Sequence, residues 1–258
     1  MAVPKHVSDF NTLADEYERF RSSYSDALFD AIVAYAGPMN GRRALDVACG
    51  TGLSARGLSA RGMRVTGIDI APNMLDAARR AGLEGAAFYE ARAETLPFAD
   101  GAFGLIVCAQ AFHWFDPLAA LAQFERVLAP GRAVALFWKD ALQSDPFTKA
   151  ADDLEHEWSG RPPTDMAAEL WGNLRDIWKA SRFVDPARRE FDVRLPFTVA
   201  SFVGYHRSRE TLRLALGPRR EEYLDALEAR IVEVAGGPDT FEVAAKEYLY
   251  LARRNRGA

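Results

Sequence analysis

The sequence predicts an α/β fold: a mostly parallel sheet with helices on both faces, carrying an inserted helical cap. Three observations carry this expectation. From Arg42 to Lys139, short apolar runs alternate with helical runs at the spacing of βαβ units. The first apolar run ends in the turn Gly50-Thr51-Gly52, which opens into a helix. Beyond Lys139 the alternation stops, and a helical stretch rich in tryptophan follows. With 258 residues, 49% hydrophobic and 11% aromatic, the chain has ample material for the core of one domain with insertions.

Two helices are expected first, roughly Asp9–Arg19 and Ser25–Tyr35. Ser25 is a good N-cap, Leu28, Phe29, Ile32 and Val33 form the buried face, and Gly37-Pro38 stops the run. Ala44–Val47 reads as strand one and Leu53–Ala60 as its helix, ended by Gly62. Arg64–Ile68 is strand two, finishing at Asp69, and Pro72 fits the first turn of a helix to about Arg80. Strand three is Ala86–Glu90. Phe103–Cys108 is nearly all apolar, as a central parallel strand buried on both faces should be. Asp116-Pro117 starts a helix that stops at Pro130-Gly131, and Ala133–Trp138 is strand five.

Residues 141 to 180 are helical in pattern, hold Trp158, Trp171 and Trp178, and are broken by Gly160 and Pro162-Pro163. Arg188–Leu195 returns to a strand-like pattern. Helices are expected near Val199–Leu216 and Arg219–Val234, and Phe241–Leu251 is placed to close the sheet. The chain divides into N-terminal helices (1–36), a nucleotide-binding core (40–140) and cap helices (141–187 and 196–238).

The 32 basic and 36 acidic residues are scattered and give a net charge of −4, which argues against nucleic acid as an obligate partner. No apolar segment reads as a signal peptide or membrane span, and Cys49 and Cys108 fall in predicted core elements, so a reducing cytoplasm is expected. The four histidines are too dispersed for a metal spacing. Monomer and homodimer are both compatible with the sequence.

The glycine turn narrows the chemistry. Gly50-Thr51-Gly52-Leu53-Ser54-Ala55 fits a dinucleotide fingerprint, and Asp69 follows Gly50 by 19 residues, so an NAD-binding dehydrogenase has to be weighed. Asp69 supports a nucleoside without choosing one. Asp46, four residues before Gly50, decides against a pyrophosphate, which a carboxylate would repel. S-adenosylmethionine (SAM) fits better: it carries a sulfonium and an ammonium and has no phosphate. No tyrosine has a lysine four residues on, as a short-chain dehydrogenase would want.

Five ordered blocks, LDVACGTG (45–52), VTGIDIAPNMLDAAR (65–79), AETLPFADGAFGLIV (93–107), AQAFHWFD (109–116) and RVLAPG (126–131), resemble the class I SAM-dependent methyltransferases, in the small-molecule branch related to trans-aconitate methyltransferases. The resemblance implies a Rossmann-like sheet of seven strands, the last antiparallel, with SAM across the carboxyl ends of strands one to four and S-adenosylhomocysteine as product. Carried over by motif, Asp46, Ala48, Gly50 and Gly52 would hold the methionine end and Asp69 the ribose. Ile70 and Met74 would pack on the adenine, Ala93 and Glu94 would line its edge, and Gln110 would lie beneath the sulfonium. Arg92 stands where relatives often place a small polar residue for the adenine amino group. Tyr17 and Arg21 would fold over the cofactor, Arg21 towards its carboxylate.

On the acceptor side the candidates are His113, Trp114, Trp171 and Tyr205, with Trp158, Trp178, Phe147 and His206 as further cap residues and Arg207 or Arg209 as partners for a substrate carboxylate. His113 is the one titratable group placed to act as a general base. The absence of an acid/base constellation favours a carboxylate acceptor, which needs none. The alternatives are an N- or C-methyltransferase of a secondary metabolite, a methyltransferase of a carrier-bound acid, a SAM-binding protein without catalysis, or an NAD-binding dehydrogenase.

Overall fold

The structure is a computed structural model that describes residues 12–38, 41–160, 174–237 and 239–257. Helices α1 (Ala14–Phe20) and α2 (Asp26–Ala36) lead into five strands with three helices between them. These run β1 (Arg43–Val47), α3 (Leu53–Ser59), β2 (Arg64–Asp69), α4 (Pro72–Arg80), β3 (Ala86–Glu90), β4 (Phe103–Ala109), α5 (Pro117–Val127) and β5 (Leu128–Ala141). Then follow α6 (Pro146–Ser159), β6 (Phe183–Thr198), α7 (Val199–Arg207), α8 (Glu210–Leu216), α9 (Arg220–Ala235) and β7 (Thr240–Arg254). A short helical stretch over 174–180 precedes β6.

The strands form one seven-stranded sheet in the order β3-β2-β1-β4-β5-β7-β6. Strands β1 to β5 pair in parallel, and β7 is antiparallel to both of its neighbours. This is the Rossmann-like arrangement expected from the sequence. The strand order reverses between β1 and β4, which opens a crevice at their carboxyl ends, where ligands bind in such sheets.

The apolar run of β4 has a simple cause: its residues are buried on both faces. Ile106 and Cys108 join a cluster with Leu45, Phe124 and Trp138, while Leu105 and Val107 join Phe29, Leu58 and Phe137 on the other side. Asp116 caps α5 by accepting from the Leu118 and Ala119 amides, with Pro117 in the first turn. Asp145 caps α6 in the same way, and its second oxygen accepts from the Ala244 amide of β7 at 2.9 Å, which ties the cap to the sheet. A third core, centred on Leu212, Tyr223, Leu224, Leu227 and Ile231, holds α6 to α9 together.

Two strands differ in extent from the sequence expectation. β5 runs Leu128–Ala141 instead of Ala133–Trp138, since its end pairs with β7 as far as Ala141↔Ala245. β6 is a long edge strand of which only the middle reads as strand, because Pro186 and Pro196 interrupt its pattern and most of it is half exposed. The sheet therefore takes 141 and 183–187 from the first expected cap segment and 196–198 from the second. The break at Pro162-Pro163 and Trp171 lie outside the described residues.

The linker from α1 to α2 is strapped across the crevice. Arg21 donates to the Ser208 hydroxyl at 2.9 Å. Lys139 donates to the Ser22 carbonyl and hydroxyl and to the Ser23 carbonyl at 3.0, 2.7 and 2.6 Å. Glu247, fully buried on β7, accepts from the Ser25 amide and hydroxyl at 2.9 and 2.5 Å. Gly204 on α7 lets α1 come close: a Cβ there would lie 2.5 Å from the Phe20 ring.

Candidate active site

The turn after β1 is built from backbone geometry that most residues avoid. Ala48 and Gly50 both have φ of +53°, and Gly52 has +85°. The space beside Gly50 is open: a Cβ there would meet nothing within 4 Å. A second non-glycine residue in this region, Gln110 with φ of +58°, ends β4 one strand away. Two such outliers at adjacent strand ends mark the crevice as a place where backbone strain is tolerated for function.

Asp69 holds the turn in shape. One of its oxygens accepts from the Gly50 amide and the other from the Ala71 amide, each at 2.9 Å. Asp46 is wholly buried, and one oxygen accepts from the Ser54 hydroxyl at 2.6 Å. Its other oxygen is buried with no hydrogen-bond partner among the described residues. Burial raises the Asp46 carboxyl to about 7, the Ser54 bond opposing and the Asp69 charge adding. Burial raises Asp69 as well, against the bonds from Ala71 and Gly50.

An orphaned, desolvated carboxylate oxygen in front of an open glycine turn attracts a cation and repels phosphate. These residues fit SAM: the Asp46 side suits its ammonium, and the remaining acceptor capacity of Asp69 suits ribose hydroxyls. Met74 is buried with Leu13, Ala14 and Ala71, and Tyr17 packs against this cluster, so α1 covers the start of α4. Ala93 is buried, and Ile70 is partly exposed. Glu94 accepts from the Asp116 amide at 3.3 Å and lies 3.8 Å from Arg92, so Arg92 is engaged with the neighbouring carboxylate.

A cavity of about 420 Å³ extends from the strand ends to the cap. Tyr17, Arg21, Gln110, His113, Trp114 and Tyr205 all line it, so the structure gathers expected residues from three separate parts of the chain. Arg21 sits between two rings, 5.0 Å from the centre of Tyr17 and 4.4 Å from that of Tyr205. Gln110 donates its amide N–H to the Lys139 carbonyl at 2.7 Å, which leaves its oxygen as the free end. That oxygen is the end of the amide suited to a cationic neighbour.

His113 accepts at Nδ1 from the Trp138 indole N–H at 3.3 Å, and burial pushes its imidazole down to about 4. His206 also lines the cavity, with its ring tilted against Phe202 and edge-on to Tyr205. Other expectations resolve as packing. Phe147 stacks on Phe241, Trp158 lies edge-on to Tyr223 beneath Arg219, and Trp178 is buried against Phe183. Arg209 pairs with Glu155 at 2.8 Å and Arg207 with Glu221 at 3.0 Å, so both candidate carboxylate partners are taken.

Lys139, Thr148 and Asp152 line the cavity without having been singled out from the sequence. Burial lowers the Lys139 ammonium to about 8, Glu247 opposing and Arg21 adding. The one available signal for Lys139 was its place at the end of strand five, which reads only as a boundary. Among the described residues no cluster of acidic, histidine or cysteine side chains could hold a metal ion, and no helix is long and apolar enough to cross a membrane.

Residues 45–136 match the methyltransferase-domain family. The chain is 36% identical over 129 residues to an uncharacterised methyltransferase of Mycobacterium tuberculosis, covering 50% of this chain and 51% of that protein. It is 33% identical over 130 residues to a malonyl-acyl-carrier-protein O-methyltransferase of Serratia marcescens, covering 50% of each. The chain thus spans about half the length of the curated relatives it matches. A structure of a proposed type II methyltransferase from Anaeromyxobacter dehalogenans superposes with a TM-score of 0.68 at 21% identity, over 92% of this chain and 98% of that one. A phosphoethanolamine N-methyltransferase of Haemonchus contortus, solved with SAM, gives 0.57 at 16% identity over 95% and 57%. These structural likenesses establish the fold.

Proposed function

We propose that the chain is a class I SAM-dependent methyltransferase and that it methylates a small molecule held in the cavity between the strand ends and the cap. The observation that carries this is the buried, half-partnered Asp46 carboxylate in front of the open Gly50–Gly52 turn. When bound, SAM supplies a methyl carbon already activated by a sulfonium leaving group.

What remains for the protein is alignment and the exclusion of water. Asp46, Ala48, Gly50 and Gly52 would hold the methionine end, Asp69 the ribose, and Ile70, Met74, Ala93 and Glu94 the adenine. Tyr17 and Arg21 would cover the cofactor, and the Gln110 oxygen would face the sulfonium. Trp114 and Tyr205 shape the acceptor side with aromatic surface.

His113 does not suit a general base. Its Nδ1 lone pair is occupied by the Trp138 N–H, and its imidazole is neutral with a low proton affinity. An acceptor with no proton to lose is therefore favoured, and a carboxylate, as in the trans-aconitate relatives the sequence resembles, is the simplest. A carrier-bound acid is the variant to which the Serratia marcescens relative points.

Calorimetry with S-adenosylhomocysteine and with NAD tests the reading. Binding of the first alone is expected, and Asp69→Ala should weaken it at least tenfold. Binding of NAD alone would overturn it. A screen of small acids, phenols and amines with labelled SAM then identifies the acceptor, with turnover expected among the acids.

A further inference from the structure

The strap over the crevice does not hold itself in place. Residues 21–25 belong to no helix or strand, and Ser22, Ser23 and Tyr24 make no backbone–backbone hydrogen bond among the described residues. Arg21 reaches Ser208 of the cap, and the residues after it are fastened by two side chains of the sheet. Lys139 and Glu247 stand directly opposite one another where β5 pairs with β7, so both leave the same face. An ammonium has three N–H donors and no acceptor. Lys139 meets three acceptors on the strap: the Ser22 carbonyl, the Ser22 hydroxyl and the Ser23 carbonyl. Its Nζ also lies 5.0 Å from the centre of the Tyr24 ring, which meets Phe137 edge-on at 4.8 Å. Glu247 takes the next residue, Ser25, by its amide and its hydroxyl. One cross-strand pair of opposite charge thus engages every residue from Ser22 to Ser25.

The post is rigid where the strap is not. Lys139 lies within the β5–β7 ladder, which continues to Ala141↔Ala245, and its carbonyl accepts from the Gln110 side chain at 2.7 Å. One residue therefore carries the strap on its side chain and fixes Gln110 with its backbone. Strap and floor border the same space, since Tyr17, Arg21, Ser22 and Tyr24 line the cavity together with Gln110 and Lys139. A wall fixed by a few side-chain bonds is the part of such a cavity that opens most readily. Its two fastenings differ in depth. Glu247 is fully buried and bonds the residue that caps α2, whereas Ser22 and Ser23 are exposed to water.

We propose that Lys139 is a positioning residue that latches the strap over the bound cofactor, so that the cofactor leaves when the Lys139 bonds to Ser22 and Ser23 are released. Lys139 thereby sets how long the cofactor stays, acting through the strap; the role rests on the methyltransferase reading. Glu247 is the hinge. It keeps Ser25 and the start of α2 in place while the exposed Ser22–Ser23 end lifts.

Surface plasmon resonance on the tethered full chain, with S-adenosylhomocysteine as analyte, reads association and dissociation separately, and hydrogen exchange of the peptide over residues 20–26 reads the strap. Lys139→Cys removes the ammonium and keeps the backbone carbonyl for Gln110. Treatment with 2-bromoethylamine then rebuilds an ammonium of nearly the same reach on the new thiol, while Cys49 and Cys108 are buried. In the variant, dissociation should be about tenfold faster or more, association should change by less than about threefold, and the peptide should exchange about tenfold faster. Alkylation should restore each to within about threefold of the unaltered protein. Ser22→Ala, a change at an exposed residue that removes one of the three acceptors, should speed release about threefold.

Unchanged release from Lys139→Cys, faster release without faster exchange over 20–26, or release that stays fast after the ammonium is rebuilt would each overturn the latch. A loss of affinity carried by slower association would overturn it too, since that marks a misshapen cavity and not an open one. If Lys139→Cys does not fold, Ser22→Ala decides: release as slow as from the unaltered protein overturns the latch. Failure of S-adenosylhomocysteine to bind the unaltered protein would instead overturn the methyltransferase reading.

Discussion

Asp46 and Asp69 lie at the ends of neighbouring strands, and the Asp69 charge raises the Asp46 carboxyl on top of the effect of burial. For Asp46 the folded value of about 7 lies above the ordinary 3.8, so the folded ligand-free protein binds more protons than the unfolded chain between these values. The stability Asp46 contributes is therefore present below about pH 4 and is lost as pH rises through about 7. A shift of that size corresponds to roughly 4 kcal/mol at full effect. Other groups titrate in the same window, His113 with opposite sign, so the comparison has to be made against a variant. Asp46→Asn keeps an oxygen for the Ser54 hydroxyl and removes the charge. Its unfolding free energy should gain on that of the unaltered protein from pH 5 to 8 and level off above, by denaturant titration. A difference that does not change with pH would mean that Asp46 is charged without cost. These two aspartates were legible in the sequence because each ends a strand beside a diagnostic turn. The partner of His113 was not, since Trp138 lies 25 residues away on another strand and nothing local links them.

Among the elements, α1 owes its position to one small residue on α7. Phe20 rests where the Gly204 side chain would be, so Gly204→Ala forces a ring displaced by its own contact distance or a helix that lifts. Because α1 carries Tyr17 and leads to Arg21, the expected outcome is S-adenosylhomocysteine affinity reduced about three- to tenfold. The melting temperature should fall by only a few degrees, since the sheet cores do not involve this contact. Calorimetry and thermal unfolding on the same samples check it; a large loss of stability with unchanged affinity would place α1 in the fold and not over the site. The elements readable from sequence were those whose signal is local. β1, β2 and β4 are short and parallel, and most of their residues are buried, so composition alone marks them. β6 and the outer part of β5 obey no such pattern, because one lies at an exposed edge and the other is extended by an antiparallel partner remote in sequence. The cavity shares that difficulty: Arg21 meets Ser208 across 187 residues and Lys139 meets Ser22 across 117.

Over the whole molecule, apolar packing among the described residues is divided between two clusters on the faces of the sheet, a third between the cap helices and the adjoining ends of β6 and β7, and a small fourth beneath α1. Leu227, fully buried in the third, belongs to neither cluster on the sheet faces, so Leu227→Ala should loosen the cap by about 2–5 kcal/mol, as usual for a buried leucine, without opening the sheet. Hydrogen exchange should show faster exchange in α6 to α9 and little change in β1 and β4; uniform acceleration throughout would mean one undivided core. The strand that joins these parts is β7, seated between β5 and β6 although it comes after both in the chain. During synthesis β6 emerges with no neighbour to pair with, and Ser25 waits for Glu247 across 222 residues, on the order of 10 to 45 s at ribosomal speeds of 5–20 residues per second. The glycine turn is made early and the strap that crosses it is fastened last. A chain still on the ribosome thus presents its glycine turn uncovered, and the last strand of the sheet to be made carries the residue that fastens the strap across it.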